Sequence, residues 1–176
     1  TDIDGAQAFT IQLGAATSTD ANYNGLDPVD PTGSNADNDA AGFTLSATSG
    51  LLTDESGTTD SFTVVLDATP TADVTITVIS SDPGEANVSV ATLTFTTANA
   101  LTPQTVTVTG VDDTDIGGAQ PFTIQRGAAT STDANYNGLD PADPTGSNAD
   151  DDTAGFTLSK TSGLLTDESG TTDSFT

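Results

Sequence analysis

The chain has no cysteine, no histidine and no tryptophan, and only two basic residues among 176. Each absence removes a class of function. Without cysteine there is no disulfide framework. Without histidine and cysteine, the usual general bases, thiol nucleophiles and zinc ligands are missing. Without tryptophan no indole is present to stack a sugar. Only Glu55, Glu85 and Glu168 are glutamates, and no G-x-S-x-G nucleophile elbow occurs, so catalysis is not expected. Arg126 and Lys160 stand against 26 carboxylates, for a formal net charge of −24. Two basic residues cannot neutralise a phosphate backbone against this charge, so nucleic acid is not expected as a partner. An anionic membrane surface is not expected either. No apolar run is long enough to insert into a bilayer as a helix.

What the chain does have is repetition. Residues 1–63 return at 114–176, shifted by 113 positions, with only seven differences. Solenoid periods run about 20–50 residues, so a repeat of this length is a whole domain. Tandem near-identical domains supply length, spacing or multivalency, which points to structure or adhesion. About one residue in five is threonine, a β-branched residue suited to pleated, half-exposed surface.

Apolar residues alternate with polar ones in six segments: Phe43–Ser46, Ser61–Asp67, Val74–Ser80, Ala91–Thr96, Thr105–Val111 and Ala119–Gln125. Period two marks strands with one buried face. Gly, Pro, Asp and Asn separate them, as in SGLLTDESG, SDPGEA and TANALTP, and no segment carries a capped helical stripe. Short strands at this spacing predict an all-β, antiparallel, Ig-like sandwich. The strand content places one complete unit at 41–152, from GFTLS to the acidic SNADDD. Residues 1–40 read as the last part of a preceding repeat and 153–176 as the opening of a following one. Neither flank contains the equivalent of 64–113, so neither closes a core by itself. The irregular stretch 129–152 and its twin 16–39 are expected as loops pinned to the body by Tyr136 with Leu139, and by Tyr23 with Leu26.

Acidic residues gather at predicted turns: Asp54-Glu55, Asp82, Asp112-Asp113-x-Asp115 and Asp150-Asp151-Asp152. Asp is a good turn former, and for any one Asp that role suffices. The pair together with the terminal triplet points further. Carboxylates packed without a cation repel one another, whereas Ca²⁺ takes six to eight oxygens of this kind.

TDESGTTDSFTVVL, LTFTTANALTPQTVTVTGVDD and the closing acidic run resemble the Calx-β family, whose likeness covers most of 41–152. The resemblance implies an Ig-like sandwich with Ca²⁺ held at one end by Glu55, Asp112, Asp113 and Asp150, Asp151 and Asp152. Where the family has an acid shortly after the Asp pair, this unit has Gly117 and the first copy has Asp4. Asp115 is the expected substitute. The likeness is nearest to Calx-β-like repeats of large bacterial surface proteins. The expected role is therefore a structural subunit of an extracellular fibre or surface adhesin stalk, stiffened by Ca²⁺ at its acidic loops and repeat junctions. Its partners would be neighbouring copies of the same repeat. The other reading is an adhesion module that binds carbohydrate or protein at loops such as 133–138. The many Thr and Ser side chains also offer glycan attachment.

Overall fold

A computed structural model describes residues 2–176. Its strands are β1 (Gln7–Thr10), β2 (Thr32–Asn35), β3 (Phe43–Leu45), β4 (Leu51–Asp54), β5 (Thr59–Leu66), β6 (Val74–Ser80), β7 (Ala86–Val88), β8 (Thr92–Phe95), β9 (Gln104–Gly110), β10 (Gln120–Arg126), β11 (Thr130–Ser131) and β12 (Thr145–Ala149). No helix occurs among the described residues.

Strands β3 to β12 build one two-sheet, Ig-like sandwich. One sheet runs β3-β5-β9-β7, antiparallel throughout. In the other, β6 pairs with β8 on one edge. On its opposite edge β6 takes β10 and then β11, and β12 and β4 follow beyond β10. All its pairs are antiparallel except β12 with β4, which is parallel. The six segments with period two are all strands, shifted by at most two residues at their ends. Their alternate side chains fill the core: Phe62, Val64 and Leu66 of β5, Val74, Ile76 and Val78 of β6, Leu93 and Phe95 of β8, Val106 and Val108 of β9, Phe122 and Ile124 of β10. Each such side chain is worth about 1.5–3 kcal/mol when fully buried.

Four strands of the sandwich lie where the sequence shows only punctuation. β4 sits inside SGLLTDESG, with Leu51 and Thr53 turned inward. β7 is too short for the alternation of Ala86 and Val88 to stand out, and β11 and β12 carry too few apolar residues to alternate. β12 is held by close approach instead of apolar burial. The Phe122 ring and the Leu51 carbonyl both crowd Gly146 where any Cβ would stand.

Tyr136 is fully buried and edge-on to Phe43, ring centroids 6.0 Å apart. Its hydroxyl donates to the Ala68 carbonyl at 2.5 Å and accepts the Ala68 N–H at 3.1 Å. Leu139 is half-buried against the same core. This much of 129–152 is a packed loop, as expected. The twin loop is not. Tyr23 is 61% exposed and Leu26 54%.

Local structure in the flanks nevertheless repeats the complete unit. β1 pairs with β2 in the register of β10 with β12: Gln7 opposes Asn35 and Phe9 opposes Gly33, as Gln120 opposes Asn148 and Phe122 opposes Gly146. The Ser159 and Thr176 backbones bond as Ser46 and Thr63 do. Residues 153–176 contain no strand, and Phe156 is wholly exposed. Turn and pairing preferences are local, while burial needs the strands between 64 and 113.

The sandwich has a polarity. β3 begins with Phe43 beside Leu66, at one end of β5. β12 finishes with Ala149 beside Asp54, near the other end, where Thr59 of β5 opposes Thr109. The chain thus enters at a head end and leaves at a tail end.

Arg126 replaces the Leu13 of the first copy and is an energetic anomaly. It is 4% exposed, and its guanidinium carbon lies 5.9 Å from the Phe62 ring centroid. None of its three guanidinium nitrogens has a hydrogen-bond partner. Burial lowers its pKa, against an opposing pull from Asp143 and Asp140. A cation–π contact returns about 0.5–2 kcal/mol, less than the several kcal/mol lost in desolvating the ion. Arg126→Leu is therefore expected to stabilise the fold by about 2 kcal/mol, read as a higher urea midpoint at unchanged m-value. An unchanged or lower midpoint contradicts this account of Arg126.

Candidate metal centre

Three chain segments leave the sandwich at its tail end, and each brings acids. Glu55 follows β4, Asp112 and Asp113 follow β9, and Asp150, Asp151 and Asp152 follow β12. The parallel β12–β4 pair sets their register. Ala149 lies beside Asp54, and the Glu55 N–H donates to the Ala149 carbonyl at 3.1 Å. Gly110, at the end of β9, lets this corner close. A Cβ there would collide with the Asp54 carbonyl and the Asn148 side chain.

The carboxylates form two triads that share Glu55. One is Glu55, Asp150 and Asp152; the other is Glu55, Asp112 and Asp151. Within each, one oxygen per residue lies within 4.8 Å of the others. Glu55 is 5% exposed, whereas Asp112 and Asp151 are open to solvent. Asp113 belongs to neither triad, but its charge reaches Glu55 and Asp152. Asp115 is also outside them. Its N–H donates to Asp113 Oδ1 at 2.6 Å, so it braces the loop.

The electrostatics are divided. Asp150 is held below the usual carboxylate range by the N–H groups of Gly118 and Asp152, at 2.6 and 2.8 Å. Glu55 accepts the Asp151 N–H at 3.1 Å, which favours its charge. Burial and the charges of Asp113, Asp150 and Asp152 outweigh that bond, and its pKa is raised. Burial also raises Asp152, with Asp150, Asp151, Asp112 and Asp113 adding repulsion. Asp152 Oδ2 is buried without a hydrogen-bond partner. This end thus holds more negative charge than its own donors can satisfy, with oxygens of the hard type that suits Ca²⁺.

A raised carboxylate pKa means that the folded state binds more protons than the unfolded one. Stability from Glu55 and Asp152 is then present at acid pH and lost as pH rises through their raised pKa values. Glu55→Gln removes the charge and keeps an oxygen for the Asp151 N–H. In metal-free protein it is expected to melt above wild type at neutral pH, with the gap closing under acid. A wild-type advantage at neutral pH contradicts the repulsion.

Two participants were not legible as such in the sequence. Asn148 is 1% exposed. It accepts the Thr53 hydroxyl at 2.8 Å and donates to the Val111 carbonyl at 3.0 Å, tying β4, β9 and β12 together behind the acids. Glu85 reads as a solvated turn acid, yet it is half-buried and accepts a bond from Asn148 at 3.3 Å. The loop 133–138 turns Asp133 and Tyr136 inward and leaves Ala134, Asn135, Asn137 and Gly138 exposed. Asp133 is 5% exposed, and the Thr71 N–H that it accepts at 2.8 Å lowers its pKa.

The first copy repeats the acidic loop. Asp2, Asp4, Asn35, Ala36, Asp37, Asn38 and Asp39 line a polar hollow. The Gly5 N–H reaches Asp37 at 2.8 Å, as Gly118 reaches Asp150. This hollow meets the head end of the sandwich, because Asp2 forms a parallel bridge with Thr69.

No protein-family model and no curated protein sequence matches this chain. Solved structures resemble it at the level of fold. The periplasmic chaperone SfaE aligns with a TM-score of 0.46 at 10% identity, over 62% of this chain and 58% of its own. A cohesin–dockerin complex, Coh-OlpC-Doc435 from Clostridium thermocellum, aligns at 0.43 and 9% identity, over 66% of this chain and 99% of the matched one. WR4, a C. elegans MSP family member, aligns at 0.39 and 9%, over 61% and 96%. Among the described residues no helix is long and apolar enough to cross a membrane.

Proposed function

We propose that this chain is part of an extracellular array of Calx-β-like sandwiches, a structural stalk stiffened by Ca²⁺ at the tail end of each unit. The observation that carries the proposal is the pair of carboxylate triads sharing the buried Glu55. Glu55, Asp112, Asp150, Asp151 and Asp152 would supply the ligands. Asp113 would add charge, and Asp115 would hold the loop. A bound cation relieves the repulsion that raises Glu55 and Asp152, and it ties together three segments leaving different strands. Metal bound only by the ordered state stabilises that state.

The polarity of the fold favours an array. A unit entered at its head and left at its tail stacks end to end without a long return linker. Asp150–Asp152 then lie at the junction. Glu168, the counterpart of Glu55, would sit at the far end of its own unit, so it belongs to the next tail. Phe9, 49% exposed, and Leu164, 50% exposed, are the counterparts of the core residues Phe122 and Leu51, and the remaining strands of their own repeats would cover them.

Small-angle scattering on chains of one to four complete units tests this reading. Maximum dimension should grow by about 40 Å per unit in calcium, on the order of a ten-residue strand plus loops, and shrink on chelation. A size that barely depends on unit number would exclude the stalk.

A further inference from the structure

Ile116 is 61% exposed at the tail end, between Asp115 and a Gly117 N–H that folds back onto the Asp115 carbonyl at 2.7 Å. An isoleucine at the tip of an acidic, glycine-rich loop has no role in the triads. Its counterpart in the first copy shows what it can do. There the same Asp-Ile pair meets the head end of the sandwich. Asp2 bridges Thr69 in parallel, and Ile3 packs, half-buried, against the hydrophobic core.

The receiving surface is preformed. Ala68 is buried and held through both its N–H and its carbonyl by the Tyr136 hydroxyl. Two residues beyond Thr69, the Thr71 N–H is held by Asp133. The loop 68–71 is therefore fixed on either side of the bridge. Acids lie on both sides of this contact, Asp4, Asp37 and Asp39 in the first copy and Asp67 and Asp73 in the sandwich. Like charges cannot hold such a joint. An apolar side chain and a backbone bridge can.

We propose that the Asp-Ile loop following each β9-type strand is a plug that seats in the head end of the next repeat, seated at Ile3 and open at Ile116. The partner of Ile116 is thus the 68–71 loop of a following copy of the repeat. This rests on the array reading and adds what fixes the angle between units. It also gives Tyr136 a second role, since its hydroxyl shapes the socket.

The full chain permits a direct test, because it has no cysteine of its own. Spin labels at Gln12→Cys and Ile79→Cys report the distance between the first copy and the sandwich. A narrow distribution is expected in the otherwise wild-type chain. Ile3→Ser should raise the undocked population about tenfold and broaden the distribution, while Ile116→Ser leaves it unchanged. An unchanged width in Ile3→Ser overturns the plug. Measuring in calcium and in chelator separates plug from metal. A width set by calcium alone and indifferent to Ile3 rejects the plug and leaves the calcium stalk standing. A width set by Ile3 under both conditions supports the plug even if calcium has no effect.

Discussion

Tyr136→Ala will destabilise the sandwich by about 4 kcal/mol, whereas Tyr23→Ala will change stability by less than about 0.5 kcal/mol. The two tyrosines occupy the same place in the repeat, within identical sequence from Gly14 to Pro28 and from Gly127 to Pro141. They even share the local turn. Tyr23 donates its N–H to the Asp20 carbonyl as Tyr136 does to Asp133. Their surroundings differ. Tyr136 is wholly buried against Phe43 and bonded twice to Ala68, and Tyr23 is 61% exposed. Removing the Tyr136 ring opens a cavity and orphans two backbone groups. Tyr136→Phe isolates the second effect and is expected to cost about 2 kcal/mol. Urea denaturation of the full chain reads all three. Equal losses at Tyr23 and Tyr136 would contradict the placement of the closed core in 41–152.

That contrast explains how much was legible in the sequence. The strands β5, β6, β8, β9 and β10 announce themselves, because each buries one face and therefore alternates. β12 does not. Thr145–Ala149 has only Ala149 as an apolar residue, and it exists because Gly146 fits under Phe122 and because β4, about a hundred residues earlier, offers a parallel edge. Such a pairing leaves no local trace. At the acidic end, the clustering of Asp112 with Asp150–Asp152 was legible as runs of Asp. The burial of Glu55 and the roles of Asn148 and Glu85 were not, since a polar residue in a turn looks the same whether it faces water or a neighbouring strand. Asp115, expected to replace the acid missing at Gly117, instead braces Asp113. The plug at Ile3 was invisible for a related reason: one isoleucine in a turn has no period.

The second large effect is expected from calcium. Saturation at about a hundred times the dissociation constant stabilises the folded state by about 2.7 kcal/mol. For a domain of this size that corresponds to a rise of about 10 °C in Tm. With an affinity in the range of extracellular modules, about 10⁻⁴–10⁻³ M, tens of millimolar calcium reach that limit. Part of the gain comes from removing the repulsion that raises Glu55 and Asp152. Replacing Asp112 and Asp113 together by Asn should abolish most of the rise, because the first is in a triad and the second bears on both raised acids. Magnesium should do less, since it demands a tighter octahedral shell and sheds water reluctantly.

The most direct measurement is a pair of thermal melts of the full chain, one in calcium and one in chelator, at matched ionic strength, with Glu55→Gln run beside wild type. Wild type should melt about 10 °C higher in calcium, and Glu55→Gln should lose most of that difference while melting above wild type in chelator at neutral pH. Identical wild-type melts in calcium and chelator would contradict a metal centre built around Glu55.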